Sequence, residues 1–131
     1  MIVTATHNGG YAATVLARGH EIAVDEPHDS GGEDRGAMPT ELLAASLASC
    51  FTLALAHVAR REGAELPGLQ VAVEAERAGR ELRYGRLTVT ARADVDVEPY
   101  MARARRLCWV SNTFAAPPEI EYRTEEPCPS V

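Results

Sequence analysis

Three cysteines carry most of the chemistry open to this chain: Cys50, Cys108 and Cys128. A thiolate is both a nucleophile and an oxidisable centre, and two thiols brought together can form a reversible disulfide. Taken singly, Cys50 and Cys108 each also suit a small buried hydrophobe, a common fate of a free cysteine. As a pair on two separate helices they have the makings of a redox couple. Cys128, between Pro127 and Pro129 in an acidic tail, is expected to be an exposed, non-catalytic thiol. The odd cysteine count, and a start (Met1 to His7) without the basic and apolar regions of a secretory leader, point to reduced thiols in the cytoplasm. Neither Cys50 with His57 nor Cys108 with Cys128 has a zinc-type spacing. No glycine-rich phosphate loop and no nucleophile elbow is present.

The elements that must position these thiols follow from the pattern. Pro39 opens a helix expected to run to about Glu62 and stop at Gly63, with Glu41 placed for the helix dipole. On it Leu43, Ser46, Cys50, Leu53, Ala54 and His57 share one stripe, so its polar atoms could hydrogen-bond a thiolate or an oxidant. His57 lies about 10 Å along the axis from Cys50, too far for a direct base, and reads as a core or interface histidine. Glu41, nine residues before Cys50, falls roughly opposite it and reads equally as a plain helix-start carboxylate.

Before this helix, residues 1–6, 11–17 and 20–25 read as strands, with Arg18-Gly19 as a hairpin turn and 27–37 as a loop. After it, 69–76 and 87–97 alternate as strands. Glu98-Pro99 opens a second helix carrying Cys108, and Glu119 to Arg123 is expected as a last strand. The expected fold class is α+β: one domain over 1–131, with 125–131 as a frayed tail and two hairpins flanking one long, nearly all-apolar helix. A single six-stranded sheet covers only one side of such a helix, so a second subunit is the economical cover.

Composition narrows the function. The net charge of −6 argues against nucleic acid or anionic membrane as partner. All 13 basic residues are arginine, which removes lysine chemistry. The 18 uncharged residues from Leu42 to Ala59 sit at the lower edge of a membrane span, but their serines, threonine and histidine and the following Arg60-Arg61-Glu62 favour a buried helix.

Asp25-Glu26-Pro27, Gly31-Gly32 and the run Met38-Pro39-Thr40-Glu41-Leu42-Leu43-Ala44-Ala45-Ser46-Leu47-Ala48-Ser49-Cys50, with Cys108-Trp109-Val110-Ser111-Asn112-Thr113 later, resemble the OsmC/Ohr family, in its OsmC-like branch. The resemblance implies an intertwined homodimer with the long Cys-bearing helices packed centrally. It implies a thiol peroxidase that defends against organic hydroperoxides: Cys50 becomes a sulfenic acid, Cys108 closes a disulfide with it, and an external dithiol, such as a lipoylated protein, restores both. No bound cofactor or metal is implied. Met38, Phe51, Trp109 and Phe114 would suit an alkyl hydroperoxide. Glu41 stands one position after the carboxylate of the well-studied branches, where this chain has Thr40. Those branches also lower the thiolate pKa with an arginine in an N-terminal loop. His7-Asn8-Gly9-Gly10 has none, leaving Arg35 or a partner's arginine as substitutes. Two other classes stand beside this one: a non-catalytic redox sensor or binder of a small apolar ligand, and an acyl-thioester hydrolase, which lacks an evident base on the Cys50 face.

Overall fold

The computed structural model describes residues 1–128. Three short strands, β1 (Val3–His7), β2 (Ala13–Ala17) and β3 (His20–Val24), form an antiparallel sheet in the order β1-β2-β3. The β2–β3 turn places Arg18 at φ 58, a left-handed conformation that side chains rarely adopt. A loop with a 3-10 turn at His28–Ser30 leads into α1 (Pro39–Arg61). Then come β4 (Gln70–Arg77) and β5 (Tyr84–Arg92), paired antiparallel, followed by α2 (Glu98–Leu107) and α3 (Trp109–Ala115).

The loop before α1 is built around one carboxylate. Asp25 is 2% exposed and accepts the backbone N–H groups of Glu26 at 2.8 Å and of Glu33 and Arg35 at 3.2 Å. A Cβ on Gly32 would overlap the Glu26 carbonyl, and one on Gly36 the Ala23 carbonyl, so the chain closes on itself only with glycine there. The Asp25 N–H bonds Ala37 O, and the loop delivers Met38 to the start of α1 in an extended conformation.

The core lies between α1 and the second sheet. Leu47, Phe51, Ala54, Leu55 and Val58 form a helical stripe. It packs with Ala104 and Cys108 against Val71 and Val73 of β4 and Leu87, Val89 and Ala91 of β5, which alternate inward. The first sheet is different. Val3, Ala5, Ala13, Val15, Ile22 and Val24 share one of its faces by register. That face meets neither α1 nor the second sheet beyond marginal contact, and every residue of β1 is exposed.

The strands form two separate small antiparallel sheets beside the long helix, in agreement with the expected two hairpin sheets. Three sequence expectations are corrected. The last pair begins earlier and ends earlier than 87–97. The Asp94 N–H turns to Pro67 O, and Asp96 Oδ1 accepts the Glu98 N–H, so 93–97 serve as a turn into α2. Glu119 to Arg123 is irregular and exposed: it has no strand beside it, and its Glu121–Arg123 pair is local. The second helix breaks at Cys108, so that the thiol sits at a joint between two helices. The expected frayed tail lies partly outside the described residues.

Candidate functional site

α1 presents Cys50 on the edge of its buried stripe, half-buried between core residues Leu47 and Phe51 and exposed Ser49 and Leu53. Cys108 faces it from the α2–α3 joint and is 0% exposed. Both thiols are free, and Cys50 packs against the buried cluster that contains Cys108, near enough to help lower the pKa of that thiol. The fold has thus brought together the two thiols that the sequence pairs across 58 positions of chain.

The joint has its own support. Cys108 adopts φ −77, ψ 104, extended backbone that ends α2 and starts α3. The Asn112 side-chain amide donates to Arg106 O at 3.0 Å, and the Asn112 N–H to Cys108 O at 3.0 Å. Ser111 Oγ lies 3.1 Å from Cys108 O, and Thr113 Oγ1 donates to Trp109 O at 2.8 Å. The Asn112 amide satisfies a carbonyl that the end of α2 would leave unpaired, and the Ser111 and Thr113 hydroxyls add bonds to backbone carbonyls of the joint. Their part in the site escaped the sequence reading. The signal was a run of three short polar side chains directly after a predicted helix, the residue types that bond nearby backbone.

The electrostatics single out Cys108. Burial pushes its thiol up. The Ser111 hydroxyl and N–H, the Cys50 thiol and the Val110 N–H more than offset this, and hold it below the ordinary cysteine value. These stabilising groups are hydrogen-bond donors, and no arginine is among them. Arg35 pairs with Glu33 at the loop surface. The hydroxyls on the Cys50 stripe and beside it are engaged elsewhere: Ser46 Oγ donates to Leu43 O, Ser49 Oγ to Ala45 O and Thr52 Oγ1 to Ala48 O.

The other sequence candidates are dispersed. Glu41 Oε2 accepts the Met38 N–H at 2.9 Å, which makes it a cap for α1, about 13 Å along the helix from Cys50. Met38 is the residue it caps, and Phe51 is part of the core at 3% exposure. Trp109 projects outward at 83% exposure. Phe114 lines a groove of about 820 Å³ with Thr40, Leu43, Leu82, Tyr84 and Leu87, which neither cysteine lines. His57 and Cys128 are exposed. Among the described residues no three His, Cys, Asp or Glu side chains cluster as metal ligands.

Known proteins place this geometry. No curated protein matches the sequence. The OsmC-like protein of Mycoplasma pneumoniae shares the fold, with a TM-score of 0.74 at 16% identity over 88% of this chain and 87% of that one. The organic hydroperoxide resistance protein OsmC of Legionella pneumophila is 27% identical, with a TM-score of 0.65 over 88% of each chain. The organic hydroperoxide resistance protein of Elizabethkingia anophelis, solved with thiocyanate bound, is 26% identical, with a TM-score of 0.62 over 88% of this chain and 87% of that one. The family model described as OsmC-like protein matches residues 31–123, which carry both paired cysteines and every element from the loop before α1 to α3, and the chain belongs to that family.

Proposed function

We propose that this protein is a thiol peroxidase that reduces organic hydroperoxides in the cytoplasm, working as a homodimer. The observation that carries the reading is the packing of Cys50 against the buried cluster that holds Cys108, one thiol reachable from outside and the other enclosed. The printed names of the Legionella and Elizabethkingia relatives support the substrate class.

The chemistry balances on these residues. Cys50 reacts as its thiolate, the nucleophilic form of the side chain. When the charge rests on Cys50, its sulfur attacks the terminal peroxide oxygen, the O–O bond breaks, and the alkoxide takes a proton to leave as an alcohol. Cys50 is now a sulfenic acid. The Cys108 thiolate displaces hydroxide from it and closes the disulfide, which protects Cys50 from over-oxidation. An external dithiol reduces the disulfide by exchange. Glu41 supports this site by capping the helix that carries Cys50. The apolar face that the first sheet turns away from α1 supports the dimer, since exposed apolar faces mark interaction sites.

Stopped-flow oxidation by cumene hydroperoxide tests the reading. Wild-type protein is expected to react far faster than a free thiol, and Cys50→Ser protein not to react. Free-thiol rates in the wild type overturn it. The second reading, a non-catalytic binder of an apolar ligand, is favoured by the large groove that contains neither cysteine. It predicts that those slow rates come with saturable binding of a fluorescent fatty acid.

A further inference from the structure

A closed Cys50–Cys108 disulfide offers an incoming thiol two sulfurs, and their burial tells them apart. We propose that reduction enters through Cys50: the external dithiol attacks the Cys50 sulfur, and Cys108 is the sulfur that leaves. This rests on the peroxidase reading above and concerns the step that restores the pair.

Exchange at a disulfide has a narrow line of approach. The attacking sulfur, the sulfur attacked and the sulfur that leaves lie close to one line, so access to the far side of each sulfur decides which one is attacked. A thiol aimed at Cys108 must arrive on the side of Cys108 that faces away from Cys50. That sulfur belongs to a residue 0% exposed, set in the buried cluster with Leu47, Phe51, Leu55 and Ala104. Met101 and Val110 pack against the same cluster from α2 and α3. No thiol reaches the far side of Cys108 without opening the core. Cys50 stands at the rim of that cluster and is only half-buried. Exposed Ser49 is beside it in α1, and Leu53, three residues on, is 70% exposed. The far side of Cys50 is the open one. The leaving side agrees with this. At Cys108 burial is outweighed by hydrogen bonding, which holds the thiol below the ordinary cysteine value, and a thiol of lower pKa leaves faster.

The step balances on the two residues. The first thiolate of the dithiol forms an S–S bond to Cys50, the Cys50–Cys108 bond breaks, and Cys108 takes the electron pair and then a proton. The second thiolate of the dithiol attacks its own bound sulfur, a cyclic disulfide forms, and Cys50 leaves as the thiolate that begins the next cycle. The dithiol has lost two electrons and the protein pair has gained them. Oxidant and reductant thus use one entrance in turn, and Cys108 meets neither.

The test uses the full-length protein with Cys128→Ser, closed by one equivalent of cumene hydroperoxide. It is exposed briefly to 2-mercaptoethanol, a monothiol that forms a mixed disulfide and closes no ring. The reaction is quenched in N-ethylmaleimide and urea, so that a buried thiol is alkylated too. Trypsin cuts after Arg35, Arg60, Arg106 and Arg123 and puts Cys50 and Cys108 on separate peptides. Mass spectrometry is expected to find mercaptoethanol on Cys50 and the maleimide on Cys108, in about tenfold excess over the reverse pair. Equal amounts of the two, or an excess of the reverse pair, overturn the proposal. Cys108→Ser and Cys50→Ser, each with Cys128→Ser, give a second reading with Ellman's reagent. The lone Cys50 should react fast and the lone Cys108 slowly until the protein is unfolded; equal rates overturn the proposal. If cumene hydroperoxide closes no disulfide, the peroxidase reading falls. Diamide then closes the pair, and the same peptide mapping decides the point of entry; a pair that diamide leaves open overturns the proposal as well.

Discussion

Closing the Cys50–Cys108 disulfide should raise the thermal stability of this protein by an amount the chain itself sets. The bridge would enclose a loop of roughly 60 residues, which the chain-entropy model values at about 4 kcal/mol of lost freedom in the unfolded state. For a chain of 131 residues that corresponds to a rise in Tm of roughly 10–15 °C. Two terms subtract from it. The sulfurs must close to about 2.05 Å, which pulls the α2–α3 joint against its Ser111 and Asn112 bonds. The reduced state also keeps the interactions that lower the Cys108 pKa, which oxidation removes. Calorimetry before and after one equivalent of cumene hydroperoxide, at a fixed protomer concentration, measures the net. We expect a clear rise in the wild type, abolished in both Cys50→Ser and Cys108→Ser. An oxidised wild type that melts no higher than the reduced one would refute the idea that these two thiols close onto each other within the chain.

Two further outcomes are expected. In Asp25, burial pushes the carboxyl up, but the N–H groups of Arg35, Glu26 and Glu33 and the Arg35 charge hold it below the usual range. The folded state therefore binds this proton more weakly than the unfolded chain. Asp25 adds stability above the unfolded carboxylate range and loses it as pH falls through the folded value. Asp25→Asn should be destabilised at neutral pH and approach the wild type at about pH 3, read by urea unfolding; an equal gap at both pH values would contradict the account. Sedimentation should give about twice the 14.1 kDa chain mass, and Ile22→Asp, on the bare sheet face, should shift it toward the monomer; an unchanged mass argues that this face is not the interface.

Much of the site was legible in the sequence because its signals are local. Pro39, Glu41 and the apolar run specify α1, and its bounds agree with the structure to within one residue of the expected end. The break at Cys108 was not legible. Arg105, Arg106 and Leu107 continue a helical pattern without a glycine or proline, and only the backbone-bonding habit of Ser111 and Asn112 stops it. The two hairpin sheets were legible, but the cover of the first one was not. Hydrophobic alternation tells which face of β1–β3 is apolar but not what covers it, and within one chain neither α1 nor the second sheet does.

In the proposed peroxidase cycle a charge on Cys108 is transient: it is needed to attack the oxidised Cys50 and vanishes once the disulfide forms. A buried guanidinium would then face a neutral bridge with its own charge unpaired, at a cost of several kcal/mol. A permanent cation suits a sulfur open to solvent, where water can take over its hydration. Within this chain Cys50 meets that condition and Cys108 does not. A cation acting on Cys50 has therefore to approach from the exposed side of α1, the side that a second subunit would cover in the proposed dimer.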